Sequence, residues 1–156
     1  MGRITQEERD ANKKRFDAIV FDIFLTEGWD ACTLNRISKE CGIRKSTLQG
    51  YYPSKENFAE ALEGKIFPLV GPRLNFTSRD GFVKGWVELL TNDRLFKEVV
   101  KMLIGNIVTN GGNLRTQAPI VRIINLLSKN IGEEEAHKSI QDVFGLTIYK
   151  YTFGDK

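Results

Sequence analysis

Apolar residues recur at helical spacing along most of this 156-residue chain. Near the N-terminus they stand at i, i+3, i+4, i+7 and i+8, which places them on one face of an amphipathic helix: Phe16, Ile19, Val20, Ile23 and Phe24. Similar stripes predict further helices over residues 79–92, 93–109, 116–130 and 133–151. Because no strand-like alternation persists, the pattern predicts an all-α fold.

The stretch 33–55 predicts two short helices joined by a tight turn. The first helix carries one apolar stripe, which consists of Leu34, Ile37 and Cys41. Thr33 precedes the stripe, where its hydroxyl can cap free backbone N–H groups. Gly42 follows the stripe and suits the left-handed backbone position that ends a helix.

The second of these helices opens with a polar, mostly basic run, Arg44–Thr47, and ends before Pro53. Leu48 is expected to hold it against the core, and Tyr51 is expected to face outward. Two helices at a steep angle across a glycine-containing turn make a helix-turn-helix. In DNA-binding proteins the second helix of that motif enters the major groove.

Charge within the same stretch is strongly unbalanced. The stretch contains five basic residues, Arg36, Lys39, Arg44, Lys45 and Lys55, and one acidic residue, Glu40. The whole chain carries a net charge of only +3, so affinity for nucleic acid must come from a local patch. The alternative is a solvated helical hairpin in some other all-α domain.

The stretch also resembles the DNA-binding signature of TetR-family transcriptional regulators. The resemblance is carried by the run Leu34…Ile37…Cys41-Gly42-Ile43-Arg44-Lys45-Ser46-Thr47-Leu48…Tyr51-Tyr52-Pro53-Ser54-Lys55-Glu56. It implies a three-helix head, a helical body that usually binds a small molecule, and a homodimer formed through the C-terminal helices. We therefore expect a DNA-binding domain over residues 1–54 and an effector and dimerisation domain over residues 55–156. A fourth helix, from Lys55 to Pro68, is expected to link them.

The resemblance also implies roles for single residues. The side chains expected to contact the DNA backbone are Thr33, Lys45, Tyr51 and Lys55. Ser46 and Thr47 would lie with Lys45 at the groove-facing start of the second helix. From the chemistry of their own side chains, Arg44 and Gln49 are expected to reach base edges together with Ser46 and Thr47. Three positions depart from the family pattern: Gln49 replaces the usual first tyrosine, Gly50 a larger and often basic residue, and Arg44 a small polar one. The operator sequence therefore cannot be borrowed from relatives.

The body offers two further candidate sites. An apolar ligand pocket is expected among Phe82, Trp86, Phe96, Met102 and Ile107, although such a stripe can equally be core. The last two helices carry more apolar surface than one small core needs, so we expect a two-fold dimer interface, with a well-filled monomer as the alternative. Its candidate residues are Ile120, Ile124, Leu127, Ile140, Phe144 and Ile148.

Other chemistries have little support in the sequence. Cys32 and Cys41 lack metal-ligand spacing, and the one histidine, His137, has no catalytic company. We expect no catalytic residues, no metal and no cofactor. A charged N-terminus predicts no signal peptide, and no apolar run reaches the ~18 residues of a membrane span, so no membrane partner and a cytoplasmic location are expected.

The sequence thus predicts a DNA-binding transcriptional regulator, a repressor that responds to a ligand and binds a palindromic double-stranded operator as a homodimer. A small apolar effector is its possible second partner. Two alternatives stay open at this point. One is a DNA-binding protein without an effector, and the other is a helical module that binds a protein.

Overall fold

The computed structural model describes residues 3–154, and within that range it is helical with no strand. The predicted all-α fold is therefore confirmed. The described residues form two compact units, a head that extends to Ile66 and a body that begins at Phe67.

The head is built around one long helix, α1 (Gln6–Glu27), which Thr5 caps by accepting a hydrogen bond from the backbone N–H of Glu8. A short 3₁₀ turn (Trp29–Ala31) leads into α2 (Leu34–Cys41) and α3 (Lys45–Gln49), the predicted helix-turn-helix. The buried face of α1 carries Phe16, Val20, Ile23 and Phe24, as its spacing predicted. These side chains share a core with Ile37, Leu48, Tyr52 and Phe58.

The segment after α3 differs from its prediction. In place of one helix from Lys55 to Pro68, the chain forms a 3₁₀ helix (Lys55–Leu62) and, after a turn, the four-residue α4 (Phe67–Val70). Gly64 interrupts the helix because it adopts a left-handed conformation with φ of +74°.

The 3₁₀ helix packs against α1 and buries Phe58, Ala61 and Leu62. The compact unit of the head therefore extends to Ile66, and a domain boundary between residues 54 and 55 stays a prediction.

Four longer helices make up the body: α5 (Arg79–Asn92), α6 (Arg94–Asn110), α7 (Leu114–Ile131) and α8 (Glu133–Phe153). All four were predicted, with ends that shift by a few residues. The cap of α6 is Asp93, whose carboxylate accepts a hydrogen bond from the N–H of Phe96. Asn113 caps α7, which begins at Leu114, two residues before the predicted Thr116.

The core of the body is a stack of aromatic rings on α5 and α6. Ring centroids are 5.8 Å apart for Phe82 and Trp86, and 5.0 Å apart for Trp86 and Phe96. The indole N–H of Trp86 donates to Thr147 Oγ1 on α8 at 2.9 Å. This hydrogen bond satisfies the polar atom of a buried ring and fixes α8 on α5.

We expect Thr147→Val to lower the free energy of unfolding by about 1–3 kcal/mol, because it leaves the indole N–H of Trp86 buried without an acceptor. Thr152→Val is the matched control on the same helix. Thr152 is exposed and donates only to the backbone carbonyl of Ile148, so its loss should change stability by less than about 0.5 kcal/mol. Urea unfolding followed by circular dichroism measures both variants, and equal losses would contradict the assignment.

Candidate DNA-binding surface

The turn between α2 and α3 has the geometry that the sequence predicted. Thr33 Oγ1 accepts a hydrogen bond from the N–H of Arg36 at 3.1 Å, which caps α2. At the other end Gly42 is left-handed, with φ of +70°. The N–H groups of Gly42 and Ile43 donate to the carbonyls of Lys39 and Ser38, the Schellman pattern that closes a helix. The direction in which α3 leaves the turn is thereby fixed.

Helix α3 packs on the core of the head through one side chain and exposes its polar side chains to solvent. Leu48 is fully buried. All the polar side chains at its start and along its outer edge are exposed: Arg44, Lys45, Ser46, Thr47 and Gln49. Within residues 3–154, neither Arg44 nor Lys45 has an ion-pair partner. The candidate base-reading residues and Lys45 are therefore all accessible to solvent.

The chain just after α3 is held by a half-buried polar cluster to which α1 contributes Lys13 and Asp17 and the 3₁₀ helix contributes Glu60. Tyr52 is fully buried, and its hydroxyl donates to Asp17. Lys13 Nζ lies 2.7 Å from Asp17 Oδ1, 3.3 Å from Glu60 Oε2 and 4.4 Å from the centroid of the Tyr52 ring. Burial, followed by the hydrogen bond to Asp17, raises the pKa of Tyr52 well above its ordinary value, so the phenol stays neutral.

Tyr51 does not simply face outward, which corrects one expectation. It is half-buried, and the edge of its ring packs on Phe16 with centroids 5.0 Å apart. Asn12 Nδ2 donates to the Tyr51 hydroxyl at 3.2 Å, and the guanidinium of Arg9 lies 4.4 Å from its ring centroid. The hydroxyl thus remains near the surface while α1 holds the ring.

Arg36 contributes less positive charge than the sequence count suggested. Its guanidinium makes two hydrogen bonds to Glu27, at 2.6 and 3.1 Å, and one to Glu40 at 2.9 Å. These hydrogen bonds raise the pKa of Arg36, and the same contact lowers the pKa of Glu27. The pairing of Arg36 with Glu27 was not predicted because Glu27 lies outside the stretch 33–55.

Lys55 is half-buried at the start of the 3₁₀ helix, and its ammonium group lies 5.2 Å from the centroid of the Trp29 ring. A cation–π contact at this distance limits the positions that the long side chain can occupy. The contact of Lys55 with a DNA phosphate stays a prediction.

The candidate pocket residues do not line a cavity together. Phe82, Trp86 and Phe96 are buried and pack on one another, while Met102 and Ile107 are half-buried. One cavity of the body, about 630 Å³, is an open groove along α7, and another, about 100 Å³, lies beside Tyr151. The aromatic stripe is therefore a filled core in this structure.

The six candidate dimer residues divide into two groups. Leu127 and Ile140 are buried inside the body, so their side chains are not available to a partner. Ile120, Ile124 and Phe144 are half-buried, and Ile148 is 50% exposed. Five further apolar residues of these helices are exposed and were not among the dimer candidates: Leu114, Val121, Leu146, Tyr149 and Phe153. Within each helix they stand at spacings of three, four or seven, which is the signal that could have identified them.

Other chemical groups are not assembled into a site. Cys32 and Cys41 are buried free thiols, and burial raises the pKa of Cys41, which makes it less reactive. Across residues 3–154, no cluster of histidine, cysteine, aspartate and glutamate could hold a metal ion. None of the described helices combines the length and apolar composition that a membrane span requires.

Two family models match the chain in succession. Residues 21–62 match the model described as bacterial regulatory proteins, tetR family, and residues 63–151 match the model described as the tetracycline repressor LuxT C-terminal domain. No curated protein matches the chain. The first match contains the helix-turn-helix described above, and the second alone spans more than half of the 156 residues. The chain therefore belongs to the TetR family of DNA-binding transcriptional regulators.

Proposed function

We propose that this regulator represses transcription by binding a palindromic operator as a homodimer, with α3 of each subunit in a major groove. One observation carries the proposal: the polar edge Arg44–Gln49 is exposed along a helix whose one apolar side chain, Leu48, is fully buried. A side chain that faces solvent on a rigidly held helix is free to reach base edges. A regulator bound to the operator excludes the transcription machinery from the same DNA.

The polar edge supports a division of roles. Arg44 presents a planar fork of N–H donors suited to guanine O6 and N7, and Gln49 carries the amide that pairs with adenine N6 and N7. Ser46 and Thr47 lie between them and complete the base-reading set. Thr33, Tyr51 and Lys55 flank this edge in the sequence and Lys45 lies within it; all four are assigned to the backbone of the DNA.

The dimer is proposed to form through the outer faces of α7 and α8. On α7, Leu114 (85% exposed), Ala118 and Val121 (47% exposed) line the open groove. On α8, Tyr149 and Phe153 are 66% and 59% exposed, and their ring centroids lie 4.7 Å apart. Apolar residues this exposed on two helices that pack together favour a second copy of the chain as the occupant, because a two-fold axis would bury them in a four-helix bundle. Such a dimer would present two recognition helices to half-sites ~34–36 Å apart.

Two candidate modes of control remain for this repressor. A ligand-responsive mode requires room in the body for a small apolar effector. The filled aromatic core favours the second mode, in which DNA binding needs no effector, since a ligand among these rings would have to displace close-packed side chains.

Function classes other than DNA binding are less well supported. The matching domains are those of a regulator and not of an enzyme. His137 is exposed, with Nε2 4.0 Å from Glu133 Oε1 at the start of α8, a position that offers no acid–base partner in a cleft. A head that bound a protein would leave the unpaired charges of Arg44 and Lys45 unexplained. Operator binding also requires the compartment that holds the DNA, which we propose is the cytoplasm.

We expect Lys55→Ala to weaken binding to all duplexes alike and to reduce the slope of log affinity against log salt concentration by about one unit. Gln49→Ala should instead change the ranking of operators, because it removes a base contact. Operators are first selected from a random duplex pool, and affinities are then measured by fluorescence anisotropy at several salt concentrations.

Lys84→Ala is the control for a lysine lost elsewhere, since Lys84 is an exposed residue of the body paired with Asp80. It should leave affinity and slope unchanged. Equal effects of Lys55→Ala and Gln49→Ala on every sequence would contradict the division of roles. A wild-type chain that binds no duplex at any salt concentration would instead favour a protein partner.

We expect Val121→Glu to raise the dissociation constant of the dimer at least a hundredfold, because two charges would be buried opposite each other across a two-fold axis. Leu25→Glu, an exposed apolar residue of α1, should leave the dimer intact. Sedimentation equilibrium measures both. A wild-type monomer, or a dimer that tolerates glutamate at position 121, would exclude this interface.

A thermal-shift screen with a panel of apolar compounds separates the two modes of control. The effector-independent mode predicts no compound that raises Tm and full operator affinity in the absence of any ligand. A compound that raises Tm and also lowers operator affinity would establish the ligand-responsive mode, because a ligand shifts an equilibrium only by its differential affinity for the two states.

A further inference from the structure

One face of α1 reaches across the head and holds the end of the recognition helix. Arg9, Asn12 and Phe16 stand at i, i+3 and i+7 on this face, and each contacts residue 50 or 51. Arg9 Nη2 donates to the backbone carbonyl of Gly50 at 2.7 Å, although 41 residues separate the two in sequence. This set of contacts lies outside the helix-turn-helix and was not anticipated from the motif.

The hydrogen bond from Arg9 satisfies the backbone carbonyl of Gly50, which has lost its helical N–H donor. In a continuing helix the carbonyl of Gly50 would accept from the N–H of Ser54. That N–H donates instead to Asn57 Oδ1 at 3.0 Å, and Pro53, three residues after Gly50, has no N–H. Arg9 supplies the missing donor, and because its guanidinium is charged the bond is stronger than a neutral one.

Arg9 retains most of its donors for another acceptor. A guanidinium has five N–H groups, of which the contact with Gly50 uses one. The side chain is exposed, and within residues 3–154 no carboxylate forms an ion pair with it. Its positive charge is therefore not neutralised, in contrast to that of Arg36.

Tyr51, like Arg9, keeps a hydrogen-bond donor for another acceptor. Its hydroxyl oxygen accepts from Asn12, so the hydroxyl hydrogen must point to a different acceptor. In the described part of the chain no protein atom takes that hydrogen. The Arg9 guanidinium lies 4.4 Å from the ring centroid, which brings a cation and an O–H donor to the same edge of the head, directly after α3.

We propose that Arg9 and Tyr51 form a clamp for one phosphate of the DNA backbone, with Asn12 as the positioning residue of Tyr51. Arg9 binds the phosphate through its outer N–H groups while it fixes the carbonyl of Gly50, so that the phosphate contact and the placement of α3 depend on the same side chain. Tyr51 donates its hydroxyl hydrogen to the phosphate. This inference rests on the proposed operator binding and adds Arg9 and Asn12 to it.

The main test measures the salt dependence of operator binding for Arg9→Ala. We expect affinity to fall by roughly tenfold or more on every duplex and the salt slope to fall by about one unit. Lys14→Ala, an exposed lysine on the same helix without a described partner, removes the same charge and should leave the slope unchanged. Arg9→Lys should restore the slope but not the affinity, because an ammonium group lacks the planar fork.

The role of Asn12 is tested by a double-mutant cycle. Asn12→Ala and Tyr51→Phe should each lower affinity several-fold without changing the salt slope, since neither removes a charge. The double variant should bind no more weakly than the weaker single variant, because both changes remove the same contact. Circular dichroism and thermal melts of each variant verify that the head is folded. If Arg9→Ala unfolds the head, the Arg9→Lys variant and this double-mutant cycle still test the clamp.

The outcomes separate the clamp from the function on which it rests. The clamp is excluded if Arg9→Ala keeps the wild-type slope, if Lys14→Ala lowers the slope equally, or if the losses from Asn12→Ala and Tyr51→Phe multiply. In each of these cases the wild-type chain still binds its operator with a steep salt dependence. A wild-type chain that binds no duplex would instead overturn the proposed function itself.

Discussion

The burial of Leu48 against the core of the head is the contact on which the rest of the proposed DNA-binding surface depends. The proposed recognition helix has only five residues, Lys45–Gln49, and a helix this short does not form on its own because nucleation costs more than a few backbone hydrogen bonds return. Tertiary contacts must therefore hold it. Leu48 holds its middle, and Tyr52, through Asp17, holds the chain just beyond its end.

The arrangement of ion pairs in the head leaves positive charge on the same surface. The sequence contains 23 basic and 20 acidic side chains, so the chain as a whole has little attraction for DNA. The head uses acidic side chains to neutralise the cations with structural roles: Glu27 and Glu40 pair with Arg36, and Asp17 and Glu60 pair with Lys13. Arg44 and Lys45 are left unpaired at the start of α3 within the described residues, where a phosphate backbone would approach.

Local sequence was enough to predict the helices and the turn, because caps, glycines and apolar spacing act over a few residues. Thr33, Gly42 and Leu48 have the conformations and the burial expected of them. What escaped prediction depends on contacts between distant residues. Arg9 meets Gly50 across 41 residues, and Arg36 meets Glu27 across nine.

The 3₁₀ geometry of Lys55–Leu62 also escaped prediction, since its apolar spacing is compatible with an α-helix. Similarly, the aromatic stripe of α5 and α6 has the same spacing whether it lines a pocket or fills a core. Only the packing of the rings decides between these two arrangements.

That packing restricts how an effector could control this regulator. Phe82, Trp86 and Phe96 are already in contact, and Trp86 is also tied to Thr147, so an apolar ligand among them must break contacts that the unliganded body has. The cost of separating the rings is subtracted from the affinity of the ligand, since only the difference between the two states can shift their equilibrium. The open groove along α7 carries no such cost, but a partner subunit is its proposed occupant. Control by a small molecule thus requires either a second packing of the aromatic core or competition with the dimer, and the second route would act on operator binding by separating the subunits.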